Sequence, residues 1–404
     1  MAAFKLPSLS IKKRRRQFSL PEFRWNTICI KEEIGSGTFG SVYLAKCTDE
    51  EHCVVIKKLK GEAADAKRRF EKEAAILHSV KGHRNISCFL KFCQEPHAIM
   101  MEHSCFDFGP LGVEKKVSTL EDFVHFVDDE FDFSSFADVL LVCARDAVTG
   151  LAFLHSNGIA HRDLKPGNTL VCNQHYDKND IATSYGKCPI VCKLADFGLS
   201  RSLDIQTGSF LETRTESTCR GTPVYMAPEI QLDELKFASQ EDLQKADIWS
   251  LGLLMYSLVN PNLTNPYRGE FEEAGEPFTQ NAMKDLLRRK QLPRHDSKYA
   301  DLRKHEWRQL EDVFKSCARF DPKSRPTAAD ALRLLDKSQP SHGCHASQHA
   351  DQVTPYPNIW SLYNTFLEME SKRWGSKATE TAKGKVRERS SVRCRVPKRV
   401  WSRS

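Results

Sequence analysis

Long apolar runs, paired cysteines and acidic residues near its start are what this sequence lacks. The longest apolar stretch, residues 251–259, falls far short of the roughly 20 residues that span a bilayer, so we predict no transmembrane segment. No two of the 14 cysteines form a C-x2-C pair, which argues against a zinc ribbon or a small disulfide scaffold. Residues 1–21 lack the apolar core of a secretory signal. We therefore expect a soluble protein of the cytoplasm, the nucleus or both.

Charge is distributed unevenly along the 404 residues. The net charge is +7, yet residues 1–20 contain six basic side chains and no acid, and residues 371–404 contain twelve basic side chains against two acids. The part between them is therefore acidic. Basic ends of this kind contact nucleic acid or an anionic membrane, or direct nuclear import through the run at 12–16. Solvated tails without a partner explain them equally well.

Short segments rich in Val, Ile and Tyr dominate the first hundred residues, and helical periodicity dominates after residue 118. Strands are predicted at 28–34, 41–45, 53–59, 86–93 and 98–104. Helices are predicted at 62–80, 136–156, 247–259 and 328–335. Beyond residue 338 the composition shifts to Ser, His, Gln, Lys and Arg, which marks the end of the globular part.

A glycine-rich segment follows the first predicted strand. It reads Gly35-Ser36-Gly37-Thr38-Phe39-Gly40. Glycines at this spacing let backbone N–H groups approach phosphate oxygens because no Cβ atom intervenes. A dinucleotide-binding fold would continue with a helix, whereas residues 41–45 have the pattern of a strand. The segment therefore predicts a phosphate-binding turn between two strands.

Four further motifs follow in order along the chain. They are Val54-Val55-Ile56-Lys57, His161-Arg162-Asp163-Leu164-Lys165-Pro166-Gly167-Asn168, Asp196-Phe197-Gly198 and Ala227-Pro228-Glu229. With the glycine-rich turn, this series resembles the protein kinase superfamily, serine/threonine class, over about residues 27–338. The resemblance implies an α+β, bilobal protein-kinase fold, with a small β-rich N-lobe that contains one key helix (about 27–103) and a larger, mainly α-helical C-lobe (about 104–338).

The resemblance also implies the roles of the residues in the second half of the site. Asp163 accepts the proton of the substrate hydroxyl and orients that group, and Lys165 lies near the γ-phosphate. Asn168 and Asp196 bind Mg²⁺, a cation that prefers oxygen ligands. The implied reaction is the transfer of the γ-phosphate of ATP to protein substrates.

In the first half of the chain the resemblance implies an ATP site. Lys57 contacts the α- and β-phosphates, and Glu73 on the predicted helix 62–80 aims it, with Glu71 as the second choice. Val42 and Val55 form the roof over adenine, and Val55 stands where the family usually has alanine. The remaining implied contacts are the glycine-rich turn, the floor residue Leu170, the gatekeeper Met101, and the hinge groups Glu102 C=O and Ser104 N–H.

The serine/threonine class rests on Lys165 and on the string Gly221-Thr222-Pro223. Gly167 stands where many kinases that favour basic substrates have glutamate, which weakens a preference for basic sites. Arg162, next to the catalytic aspartate, implies a phosphate on the activation segment, placed there by an upstream kinase. The candidate phosphorylation sites are Thr218 and its neighbour Ser217.

Other positions imply supports for the site. Asp247 resembles the buried aspartate that holds the catalytic loop, and Arg325 resembles the partner of Glu229. The segments 106–135 and 173–189 are interpreted as long loops, either docking surfaces or tolerated insertions.

A flexible basic leader (1–26) and a basic, largely disordered tail (339–404) are predicted to flank the domain. Apolar residues at helical spacing predict a short helix near 359–369 within the tail. The alternative to an active enzyme is a pseudokinase or scaffold that acts through nucleotide binding and its basic tails.

Overall fold

A five-stranded antiparallel sheet and one helix form the first part of the computed structural model. The model describes residues 20–37, 40–50, 52–61, 63–131, 133–202, 213–214, 221–235, 237–263, 265–275 and 277–336. The elements of this first part are β1 (Ile28–Ser36), β2 (Gly40–Cys47), β3 (Cys53–Leu59), α1 (Ala64–Ser79), β4 (Phe89–Cys93) and β5 (Ala98–Glu102). The strand order is β1-β2-β3-β5-β4, so the last two strands exchange places and β4 lies at the edge.

The register of this sheet brings together residues that are far apart in sequence. Lys57 lies opposite Val42 on β2 and opposite Ile99 on β5. Val55 lies opposite Met101. Because β3 is central, it carries Lys57 into the interior of the lobe.

The chain before β1 packs on the edge of the sheet. Phe23 N–H donates to Phe92 O at 3.0 Å, and Phe92 N–H donates to Pro21 O at 2.8 Å. Phe23 is buried in the core of the lobe, and Trp25 packs against that core. The packed part of the chain therefore begins before residue 27, which differs from the flexible leader predicted for residues 1–26.

The second part of the structure is mainly helical. Its strands are β6 (Phe106–Asp107), β7 (Lys116–Val117), β8 (Ile159–Ala160), β9 (Thr169–Cys172), β10 (Val191–Leu194), β11 (Arg201–Ser202), β12 (Thr213–Arg214) and β13 (Phe237–Ala238). Its helices are α2 (Leu120–Glu130), α3 (Ala137–Ser156), α4 (Ile181–Lys187), α5 (Pro228–Gln231), α6 (Gln240–Leu258), α7 (Arg268–Ala274), α8 (Gln280–Arg288), α9 (Ala300–Lys304), α10 (Arg308–Cys317) and α11 (Ala328–Asp336). The bilobal α+β architecture is as predicted.

Helix α6 lies in the core of this lobe. Its residues from Asp247 to Leu258 are buried without interruption, and α3 and α10 pack against it. In the part of the chain that the structure describes, no helix is both long enough and apolar enough to cross a membrane.

The segment 106–135 is not the long loop predicted from sequence. Strands β6 and β7 pair antiparallel, and α2 follows with four buried apolar residues at helical spacing. The ring of Phe108 packs against Phe123 and Phe126, with centroids 5.7 Å and 4.7 Å away. The second predicted loop, 173–189, likewise contains α4. Both segments therefore have packed structure of their own.

Candidate active site

Lys57 lies between two carboxylates. Its Nζ atom is 2.6 Å from Glu73 Oε1 and 2.9 Å from Asp196 Oδ1. Glu73 is buried on α1, whereas Glu71 is exposed and contacts His97 instead. Burial opposes the charge on Lys57, but the carboxylates of Glu73 and Asp196 outweigh it and raise the pKa of the lysine. Of the two glutamates considered, the structure brings Glu73 to the lysine.

The loop that carries Asp163 is held by Asp247 on α6. The backbone N–H groups of His161 and Arg162 donate to the two carboxylate oxygens of Asp247, at 2.8 Å and 2.7 Å. His155 Nε2 lies 3.0 Å from the same carboxylate. Arg162 has φ = 73°, a left-handed conformation that costs energy for a side-chain-bearing residue. The double hydrogen bond compensates that cost and fixes the loop.

Asp163 is surrounded by donors. The backbone N–H and the hydroxyl of Thr222 each donate to its Oδ1 atom at 2.9 Å, and Asn168 Nδ2 donates to Oδ2 at 2.8 Å. Lys165 Nζ lies 3.4 Å from Oδ2 and also contacts the hydroxyl of Thr222. The loop thus places Asp163, Lys165 and Asn168 side by side.

Asp196 and Asn168 form an oxygen-rich corner. The N–H of Ala195 donates to the backbone carbonyl of Asn168 at 2.9 Å, which brings the two motifs into contact. The Asp196 side chain is 52% exposed, and although burial of part of it opposes ionisation, Lys57 holds its pKa below the ordinary value. A carboxylate and an amide oxygen on two loops in contact are a donor set that fits Mg²⁺.

The apolar residues expected around adenine have the exposure that a binding site needs. Val42, Val55, Met101 and Leu170 are all partly exposed apolar side chains, as the walls of a binding site between lobes require. Val55 and Met101 are cross-strand neighbours, so the valine methyl groups lie beside the gatekeeper.

The glycine-rich turn joins β1 to β2. Gly37 N–H donates to Gly40 O at 2.9 Å, which closes the turn. A Cβ atom at Gly40 would lie 2.6 Å from Lys58 O, so only glycine allows this approach. The tip residues Thr38 and Phe39 lie outside the described residues.

Comparison with known proteins identifies the domain. The family model described as "Protein kinase domain" matches residues 28–334. This chain belongs to the protein kinase family. Among its relatives, the human "Serine/threonine-protein kinase TAO3" is 30% identical over 319 residues, which cover 74% of this chain and 27% of that protein. The bovine "Serine/threonine-protein kinase 33" is 28% identical, with 74% of this chain and 52% of that protein covered.

A third relative, mouse "Serine/threonine-protein kinase Nek5", is 27% identical, with 74% of this chain and 39% of that protein covered. The match thus spans between about a quarter and a half of the length of these three kinases. The relatives confirm the serine/threonine class predicted for this kinase.

A cationic cavity in this kinase went unnoticed in the sequence. Arg69 and Lys72 on α1 line it together with Glu73, Arg162 and residues 197–200. Burial lowers the pKa of Lys72, and the nearby charges of Arg162 and Arg201 lower it further. The basic run on α1 was a usable signal, because four positions there carry Lys or Arg within one and a half turns. The candidate phosphorylation sites, Thr218 and Ser217, lie outside the described residues.

The implied structural ion pair is present in this kinase. Arg325 donates to both oxygens of Glu229 at 2.7 Å, and its guanidinium lies 5.3 Å from the ring centre of Trp249. Both charged groups are buried, so each depends on the other.

Proposed function

We propose that this chain is an active serine/threonine protein kinase that transfers the γ-phosphate of Mg-ATP to hydroxyl groups of proteins. The observation that carries the proposal is the simultaneous presence of the Lys57–Glu73–Asp196 contacts and the ordered Asp163 loop. A nucleotide-binding scaffold needs the first of these but gains nothing from a positioned proton acceptor.

Each residue has a task in the transfer. The substrate hydroxyl oxygen attacks the γ-phosphorus, the bond from that phosphorus to the β,γ-bridging oxygen breaks, and ADP leaves. Asp163 accepts the hydroxyl proton, while Lys165 balances negative charge on the transferred group. Lys57 holds the α- and β-phosphates, and Asn168 and Asp196 would hold Mg²⁺, which neutralises phosphate charge when bound.

Transfer of labelled γ-phosphate to a mixed protein substrate, followed by phosphoamino-acid analysis, tests the proposal. We expect phosphoserine or phosphothreonine from the wild type and a loss of at least 100-fold in Asp163→Asn, which removes the proton acceptor. Equal labelling by both proteins would reveal a contaminating kinase. Binding of ATP without transfer, even after phosphorylation of the activation segment, would overturn the proposal in favour of the scaffold.

We further propose that phosphorylation at Thr218 activates the enzyme. The cavity lined by Arg69, Lys72 and Arg162 supports this, because clustered cations of this kind bind a phosphate through charge-assisted hydrogen bonds. Phosphatase treatment is expected to lower the activity of the wild type but not that of Thr218→Ala. Ser217→Ala is the matched control, and its activity is expected to fall as that of the wild type does. A response to phosphatase that survives in Thr218→Ala would reject this site.

A further inference from the structure

We propose that Asn173 and Gln174 are positioning residues for the nucleotide: they hold the hinge, residues 102–107, so that the N–H of Ser104 faces the adenine base. The inference rests on the proposed function, because it assumes that the cleft binds ATP. These two residues open the segment 173–189, to which neither the motifs nor the reaction chemistry gives a task.

Asn173 is bonded to the end of the hinge in both directions. The N–H of Asp107 donates to Asn173 Oδ1 at 2.9 Å, and Asn173 Nδ2 donates to Asp107 O at 2.9 Å. Asn173 is 4% exposed. Its side-chain amide bonds both backbone groups of Asp107, as a residue on a paired strand would. Because two parallel bonds define direction as well as distance, they fix the start of the segment 173–189 against the hinge.

Gln174 is bonded to the middle of the hinge. Its Nε2 atom donates to His103 O at 3.0 Å. His103 C=O and Ser104 N–H belong to one trans peptide unit, in which the two groups point in opposite directions. A bond to the carbonyl therefore decides where the N–H points, and polarises it as a donor.

The backbone N–H of Ser104 is available to donate a hydrogen bond to a ligand. The residue is 3% exposed, and within the described part of the chain its N–H has no hydrogen-bond acceptor. A buried donor without a partner destabilises the structure around it, and a bound acceptor removes that cost. Adenine carries a ring-nitrogen acceptor beside its amino group, so a base bound at the hinge supplies the missing acceptor.

The other end of the hinge is held by the same β9–β10 hairpin. Lys193 on β10 donates to both carboxylate oxygens of Glu102, at 2.7 Å and 2.8 Å. Glu102 Oε1 also accepts from the N–H of Cys88 at 2.9 Å. The hinge is thus bracketed by residues on either side of the segment 173–189, and Leu170, the adenine floor, lies on the same hairpin.

Direct titration of the full-length protein with Mg-ATP tests this role. We expect the Kd to rise about ten-fold in Asn173→Ala, which removes two hydrogen bonds, and two- to ten-fold in Gln174→Ala, which removes one. Gln174→Glu binds more weakly than Gln174→Ala, since a carboxylate repels the carbonyl of His103. Gln174→Lys keeps a donor and recovers part of the loss. In turnover assays the KM for ATP rises more than kcat falls.

A modified nucleotide separates positioning from general damage. In 1-deaza-ATP a C–H group replaces the ring nitrogen that accepts from the hinge. We expect the wild type to bind it more weakly than ATP, and we expect Gln174→Ala to cause no further loss. Lys178→Ala, an exposed position in the same segment, serves as the matched control and leaves the Kd within two-fold of wild type.

The outcomes separate this inference from the proposed function. If the wild type does not bind ATP, both are overturned. If it binds ATP but the Gln174 series stays within two-fold, or loses as much affinity for 1-deaza-ATP as for ATP, only the positioning role is overturned. The exposed Gln174 keeps the test valid even if Asn173→Ala does not fold.

Discussion

The two charged centres of this kinase, Lys57 and Asp163, are held in opposite ways. Lys57 is held by two carboxylates, one buried and one half exposed. Asp163 is held chiefly by the neutral donors Thr222 and Asn168, with Lys165 at a longer distance. The lysine centre therefore depends on charge balance in a buried place, whereas the aspartate centre depends on the shape of a backbone loop.

This difference determines which kind of substitution each centre tolerates least. A lost charge at the lysine centre leaves a buried partner without compensation, and that cost changes with pH. A lost hydrogen bond at the aspartate centre misplaces a group without changing its charge. Substitutions at the two centres should therefore differ in their pH dependence as well as in their size.

The largest effect is expected from Asp247→Ala, which removes the support of the aspartate centre. Two backbone N–H groups lose their acceptor, and the left-handed conformation at Arg162 loses its compensation. We expect kcat to fall at least 100-fold and the free energy of unfolding to fall by about 3 kcal/mol. Urea denaturation and turnover assays measure both, with the exposed Glu241→Ala on the same helix as the control. Wild-type kcat in the variant would refute this account of the loop.

Next in size is Glu73→Gln, which removes one charge from the lysine centre. Among the described residues, Lys57 then keeps only the half-exposed Asp196 as an ionic partner. A charge-assisted hydrogen bond contributes about 1.5–3 kcal/mol, so we expect kcat/KM for ATP to fall about ten- to a hundred-fold. Glu71→Gln is the matched control, since Glu71 contacts His97. An equal loss in both variants would show that the two glutamates are not distinct.

The pH dependence of Lys57→Met sharpens the comparison further. Burial raises the pKa of Glu73, and Lys57 is the group that opposes this. Without the lysine, the Glu73 carboxyl has a higher pKa in the folded protein than in the unfolded chain. Its contribution to the free energy of unfolding is therefore fully present below the ordinary pKa of glutamate and is lost as pH rises through the raised pKa. We expect the free energy of unfolding to fall with pH above about 5, by at most about 1.4 kcal/mol per unit. Urea denaturation at several pH values measures it.

The control for that experiment is Lys57→Met combined with Glu73→Gln, in which the buried group no longer titrates. Its unfolding free energy should show no more pH dependence than the wild type. In the wild type the pKa of Lys57 is raised, so the contribution of Lys57 to the free energy of unfolding is fully present below the ordinary lysine pKa near 10.5. That contribution is lost only as pH rises beyond this value. A pH slope that persists in the double variant would assign the slope to another group.

The smallest effect is expected from Thr222→Val at the aspartate centre. One hydroxyl donor to Asp163 is lost while the backbone donor of the same residue remains. The net value of one such bond predicts a two- to ten-fold fall in kcat, without a new pH dependence between pH 6 and 9. Thr222→Ser should restore most of the loss. Failure of serine to do so would mean that the methyl group, not the hydroxyl, matters.

Much of this arrangement could be predicted from the sequence, for local reasons. Strand β3 agrees with its predicted bounds because three consecutive β-branched residues, 54–56, lie at its centre, and α1 and α3 agree within two residues because their apolar spacing is regular. The resemblance implies Glu73 rather than Glu71 as the partner of Lys57, and the structure places Glu73 at Lys57. These features depend on residues that are close in the chain.

Other features depend on contacts between distant residues and left no periodic signal. The pair Asn173 and Gln174 contacts the hinge across 66 and 71 positions, and two polar residues after a strand resemble any loop. The exchange of β4 and β5 in the sheet order is likewise set by packing. The helical spacing of Leu120, Phe123, Val124 and Val127 does indicate helix α2, although the length of the segment 106–135 favours a long loop.

The backbone hydrogen bonds of Pro21 and Phe23 with Phe92 determine how far the domain can be shortened at its N-terminal end. Strand β4 ends the sheet order, and an uncovered outer strand offers its main-chain groups to any second molecule. A protein trimmed to the matched span 28–334 loses that cover, and should self-associate with rising concentration on a sizing column where one beginning at residue 20 stays monodisperse. We therefore expect the eight residues ahead of the first strand, 20–27, to keep the kinase domain monomeric.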